Sequence, residues 1–212
     1  MLKTLYTIGY SGFNVDDFVD ILKKYGINVL IDVRSNPFSA YFSAFNKEQL
    51  ENTLKSKHIF YRNYAKEFGA QQPERSFYTP QGYLDFEKFT TSQVFNEGYH
   101  KIENGLKQDY IFAFMCAEKD PIDCHRSIMI SKTFKDNGYT VLHLLPNINP
   151  ISQVDIEDRL LNKYFPDRDQ LSLFDERKSD SNLISEAYKK RNADIGYHIE
   201  ESQHDNIYNW IY

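Results

Sequence analysis

Residues 110–145 read YIFAFMCAEKDPIDCHRSIMISKTFKDNGYTVLHLL. The first seven, YIFAFMC, are an almost unbroken apolar run, as strands buried on both faces tend to be. A polar segment follows, CAEKDPIDCHRS (116–127), and then HRSIMISKTFKDNG (125–138), a helical pattern closed by Asn137-Gly138. TVLHLL (140–145) is a second strand. A helix of more than ten residues between two strands implies a βαβ unit, because parallel pairing needs a crossover of that length.

The same alternation runs upstream. TLYTIG (4–9) is a short β-branched strand ended by glycine. NVDDFVDILKKYG (14–26) is an amphipathic helix with Asn14 as N-cap and a stop at Gly26. NVLIDVR (28–34) and IFYRN (59–63) read as strands, NKEQLENTLKSKH (46–58) as a helix, and another helix is expected within 85–107. The sequence therefore predicts an α/β domain over residues 1–147: a mostly parallel sheet with helices on both faces, a Rossmann-like three-layer arrangement. Beyond it, residues 148–212 carry an amphipathic helix over 152–165, an acidic linker, a helix-like NLISEAYKKRNA and an aromatic end, IYNWIY. The partner of this helical tail cannot be read from the sequence.

With 41% hydrophobic residues, the 212-residue chain can bury a sizeable core. No apolar run is long enough to span a bilayer, and the N-terminus lacks the pattern of a signal peptide. Two cysteines do not make a disulfide framework, so a cytoplasmic location with both thiols reduced is expected. The net charge of −5 lies in the tail: residues 1–150 hold 17 Lys+Arg against 17 Asp+Glu, and the rest 8 against 13. That balance excludes the basic footprint of a protein that grips DNA unaided.

In open α/β sheets, ligands bind beyond the carboxyl ends of the strands. That rule gathers GYSG (9–12), DVRSNPFS (32–39), YAKEFGA (64–70) and CAEKDPIDCHRS (116–127) on one edge. Three chemistries fit the residues there. Arg126, Arg34, Ser11 and Ser127 with a helix N-terminus suit a phosphate, with Glu118 or Asp32 as acid or base. Cys116 or Cys124 suits a nucleophile, with His125 beside it. Cys116, Cys124 and His125 suit zinc by residue type, but cysteines eight positions apart and an adjacent Cys-His pair match no usual zinc spacing. No metal ligand set is therefore assigned, and the cofactor is left unknown. A purely architectural reading makes both cysteines buried hydrophobes and pairs Arg126 with Asp32 or Glu118. Tyr10, Phe38, Tyr41, Phe42 and Tyr64 fall in the same loops, where aromatic faces can hold a base.

In order, TIGYSGFNVDDFVDIL, VLIDVRSNPFS, YRNYAKEFGA and FMCAEKDPIDCHRSIMIS resemble the bacterial and archaeal family catalogued as domain of unknown function 488. The resemblance covers roughly residues 4–145 and picks out Ser11, Asp32, Arg34, Pro37, Cys116, Glu118, Cys124, His125 and Arg126. It implies an α/β fold with one shared site and supplies no reaction. Where that family usually has Gly-His-Ser, this chain has Gly9-Tyr10-Ser11, so no histidine role carries over there. LIDVR also has a weaker likeness to rhodanese-type domains, which keeps sulfur transfer among the alternatives.

Within the acidic linker, Gln170-Leu171-Ser172-Leu173-Phe174 resembles the pentapeptide by which bacterial replication and repair proteins bind the DNA sliding clamp. An extended segment of that kind lays Leu173 and Phe174 in an apolar pocket, with Leu171 supporting and Gln170 hydrogen bonding. The expectation is a DNA-maintenance protein, hydrolase-like on nucleic acid or nucleotide, that the clamp tethers to DNA. The alternatives are a thiol-dependent sulfurtransferase or phosphatase on small molecules, and a non-enzymatic clamp adaptor.

Overall fold

The structure, a computed structural model, describes residues 3–146, 149–168 and 179–199. The first half runs β1 (Thr4–Gly9), α1 (Val15–Lys24), β2 (Val29–Asp32), α2 (Lys47–Ser56), β3 (Phe60–Asn63) and the single turn α3 (Ala65–Phe68). Then come α4 (Phe86–Thr90), α5 (Gln93–Lys107), β4 (Phe112–Cys116), a π-helical segment (Arg126–Ser131) and its continuation α6 (Lys132–Asp136). The described residues close with β5 (Thr140–Leu144), β6 (Ile151–Ser152), α7 (Gln153–Tyr164) and α8 (Asp180–Ile195).

Strand order is β3-β2-β4-β1-β5-β6, parallel throughout except for the β5–β6 pair. This is the α/β architecture the apolar runs predict. The pleat sorts β4 residue by residue. Ala113 and Met115 join Phe18, Leu22, Leu50 and Leu54 of α1 and α2 on one face. Phe112, Phe114 and Cys116 join Ile102, Phe134, Ile156, Leu160 and Tyr188 on the other, under α5 to α8. Phe114 packs edge-on against Phe68 at 5.7 Å and tilted against Phe134 at 5.5 Å, so aromatic area dominates the second core.

The tail helices belong to that second core. A reciprocal capping box between Ser152 and Asp155 starts α7. Ala187 and Tyr188 bring α8 down onto the sheet. Arg191 of α8 donates to the Ile122 carbonyl at 2.9 Å and pairs with Asp123, which ties the tail to the loop after β4. The expected helix within 85–107 is two helices, because Ser92 accepts the Phe95 amide at 3.2 Å and starts α5 afresh. The helix expected over 125–138 opens with a π turn. There Ser131 Oγ donates to the Arg126 carbonyl at 2.8 Å, occupying an acceptor in the widened turn. The IYNWIY end lies outside the described residues. Among those described, no helix is long and apolar enough to cross a membrane.

β1 and β4 are neighbours with Gly9 opposite Cys116, yet the chain leaves them in opposite directions. From β1 it passes beyond β4 to β2, and from β4 beyond β1 to β5. Their carboxyl ends are therefore a topological switch point, where such sheets open a crevice.

Candidate functional site

The four segments expected at this edge do meet there. The Tyr10 amide donates to the Cys116 carbonyl at 3.1 Å and the Ser11 amide to Ala117 at 3.0 Å. The Val33 amide donates to Met115 at 3.0 Å and the Tyr64 amide to Asp32 at 2.9 Å. Ser35 Oγ accepts the Gln71 amide at 2.9 Å. A Cβ on Gly9 would lie 1.7 Å from the Glu118 carbonyl, so only glycine lets the loop after β4 cross the end of β1.

On the second-core face, that loop closes a group of four side chains. Cys116 ends β4, while Cys124, in extended conformation, and His125, in helical conformation, lead into the π turn. That change of backbone conformation turns two adjacent side chains onto one point. His125 Nδ1 lies 3.8 Å from both Cys116 Sγ and Cys124 Sγ. Glu118, otherwise exposed, reaches in so that Cys124 Sγ contacts its Oε2 at 2.9 Å. The Arg126 amide points at Cys124 Sγ from 3.5 Å. The sulfurs are sealed: Cys116 is 4% exposed and Cys124 1%. The two thiols differ in acidity. Burial raises the Cys124 pKa, but the hydrogen bond from Cys116 and the charges of Arg126 and His125 outweigh it and hold that thiol well below its ordinary value. The same hydrogen bond, then burial, pushes Cys116 well above its own. Burial raises Glu118, and His125 is raised by Cys124 despite its burial. Among the described residues this is the one group of three soft or nitrogen donors gathered closely enough to hold a metal.

On the other face Asp32 and Arg34 form a closed pair. Asp32 accepts from Arg34 Nη2 at 2.6 Å, from Arg34 Nε at 2.9 Å and from the Tyr61 hydroxyl at 2.6 Å. With so many donors on a fully buried carboxylate, Asp32 is an anchor for Arg34. Arg34 Nη2 also donates to the Phe45 carbonyl at 2.9 Å, the guanidinium lies 5.1 Å from the Tyr10 ring centroid, and Nη1 has no protein partner. The loop that continues from β2 carries Phe38, Tyr41 and Phe42 into solvent, 66%, 94% and 40% exposed. Exposed lysines stand around the same edge: Lys47 at the start of α2, Lys66 in α3 and Lys119 in the loop after β4.

Arg126 and Ser127 point inward. Arg126 is fully buried, and its guanidinium donates to the carbonyls of Glu118 at 2.7 Å and Lys119 at 3.3 Å, so it braces the loop. Ser127 Oγ contacts Gln153 at 3.3 Å. The two faces join at Val33, whose carbonyl takes the other ring nitrogen of His125 at 3.2 Å.

The sequence reading did not find the polar chain deeper on this side. Thr7 Oγ1 meets His143 Nδ1 at 2.7 Å, and His143 Nε2 meets Gln153 Oε1 at 2.7 Å. Gln153 Nε2 donates to the Tyr188 hydroxyl at 2.8 Å, which donates to Glu157 at 3.1 Å, and Lys135 closes the chain at 2.7 Å. Burial pushes the His143 pKa down to about 3, so its ring is neutral. The one local signal was a histidine inside the apolar run TVLHLL. Residues 170–174 lie outside the described residues.

A family model described as "Domain of unknown function DUF488" matches residues 14–132. No curated protein matches the chain, and no solved structure does.

Proposed function

For a chain that belongs to the family described as domain of unknown function DUF488, we propose a DNA-maintenance role in which the switch-point crevice receives nucleic acid and the tail docks on the bacterial sliding clamp. The observation that carries the first half is the loop Phe38–Phe42. Phe38 and Tyr41 stand in solvent on the edge where ligands bind in such sheets, with Phe42 edge-on against Tyr10 beside them. Aromatic faces of this kind stack on unpaired bases whatever their sequence. The exposed Lys47, Lys66 and Lys119 suit a phosphate backbone. Asp32 and Arg34 hold each other beneath that edge, Arg126 braces the loop after β4, and Cys116, Glu118, Cys124 and His125 carry the chemistry. The Gln170–Phe174 pentapeptide supports the second half, since tethering to an encircling clamp raises the effective concentration on DNA without a basic surface.

Anisotropy of a labelled single-stranded oligonucleotide tests the crevice. The Tyr41→Ala variant is expected to bind about tenfold more weakly, which is the value of one stacked base; unchanged affinity in Phe38→Ala and Tyr41→Ala together would remove the reading. Calorimetry against the bacterial clamp tests the tail. Micromolar binding lost in a Leu173→Ala, Phe174→Ala variant is the expected result, and no binding by the unaltered chain overturns it.

A further inference from the structure

We propose that Cys116, Cys124 and His125 bind a zinc ion, with Glu118 beside Cys124 on the solvent side of the site. Zinc in a tetrahedral site sits about 2.3 Å from sulfur and about 2.0 Å from imidazole nitrogen, which places two such donors about 3.5–3.8 Å apart. Nδ1 of His125 is 3.8 Å from each sulfur, and all three donor atoms lie within 4.8 Å of one another. The protein already holds them at nearly the separation the ion requires.

The surroundings match a metal site in three further ways. The second nitrogen of a metal-bound histidine usually donates to a carbonyl or carboxylate, which fixes the ring and leaves the other lone pair for the ion. Here the Val33 carbonyl takes Nε2 at 3.2 Å, so Nδ1 faces the sulfurs. The Arg126 amide at 3.5 Å from Cys124 Sγ supports a thiolate without competing for the ion. Charge also balances: two thiolates and the Glu118 carboxylate against a dication and the fully buried Arg126 sum to zero. A thiol nucleophile needs access, whereas sulfurs 4% and 1% exposed suit a ligand that stays in place. Glu118 alone of the four is exposed, so the side from which a water or substrate atom reaches the ion is the side it guards.

This assignment rests on none of the nucleic-acid reading, and either can fail alone. The test is the metal content of the full-length chain, followed by exchange of cobalt(II) for zinc. One zinc per chain is expected, with a sulfur-to-cobalt charge-transfer band and the intense visible bands of a tetrahedral site. Cys116→Ser and Cys124→Ser should each weaken zinc binding by more than the about 10- to 100-fold typical of losing an outer hydrogen bond to a ligand. Glu118→Gln should weaken it while leaving the charge-transfer band in place. The cobalt spectrum of the unaltered chain gives the answer even where a variant fails to fold. A chain that stays metal-free in the presence of zinc, with both thiols open to alkylation, overturns the proposal. So does zinc retained at full stoichiometry in the double cysteine variant.

Discussion

His143 and His125 lie on the same side of the sheet and both are nearly sealed from solvent, yet their partners differ in kind. Around His143 each donor meets an acceptor. Gln153 Oε1 accepts from Nε2, Nδ1 accepts from Thr7, and the chain passes through Tyr188 to Glu157 and ends on Lys135. Around His125, two sulfurs and a ring nitrogen converge beside the Glu118 carboxylate, a set of donor atoms that a metal ion can gather. Buried polar groups that satisfy one another stabilise one arrangement of the core. Two sulfurs and a ring nitrogen within 4.8 Å of one another form a place for a metal ion to bind. The two histidines separate architecture from site.

The sharpest way to break that contrast is to supply the ion. Zinc at about a thousand times its dissociation constant should stabilise the chain by about 4 kcal/mol, read as a shift in denaturant midpoint. An unmoved midpoint would put His125 in the same class as His143. Next in size is Gln153→Ala. It leaves His143 Nε2 without its acceptor, takes one partner from the Tyr188 hydroxyl, and should cost about 3 kcal/mol of folding stability while leaving the metal content unchanged. A loss of metal in that variant would show that the two regions are coupled.

Acid should then act on His143. An unfolded histidine takes a proton near its ordinary value of 6.5, whereas this one, held neutral by burial, takes it only near about 3. The unfolded state therefore binds the extra proton in between. The contribution is complete above pH about 6.5 and is lost as pH falls toward about 3, by at most about 1.4 kcal/mol per pH unit. Stability curves of the unaltered chain and of His143→Gln should diverge across that window; parallel curves would refute the neutral ring. The smallest effect belongs to the open face. Tyr41→Ala should change folding stability by less than about 0.5 kcal/mol, because the ring is 94% exposed. A larger loss would mean that the aromatic loop is packed for the fold and not displayed for a ligand.

Much of this molecule was legible in the chain itself. The apolar runs at 4–9, 28–34, 110–116 and 140–145 coincide with β1, β2, β4 and β5, because strands buried on both faces must be apolar almost without interruption. Asn14 caps α1 as its position suggests, its side chain accepting the Asp17 amide at 2.9 Å. The grouping of four loops followed from one rule about where such sheets open.

What the sequence could not determine were the partners of groups far apart in the chain. Arg126 next to a helix start suggests an anion, but whether its guanidinium faces solvent or the Glu118 carbonyl depends on how the loop closes over Gly9. The eight-position step from Cys116 to Cys124 matches no zinc pattern, yet an extended Cys124 followed by a helical His125 brings three donors to one point. Gln153 and His143 are ten residues apart, and only the antiparallel return of β6 and the packing of α8 reveal that they meet. Local patterning is written in periodicity, which is a property of neighbours in sequence. A site is made of distances across the sheet, and those are set only when the two cores close.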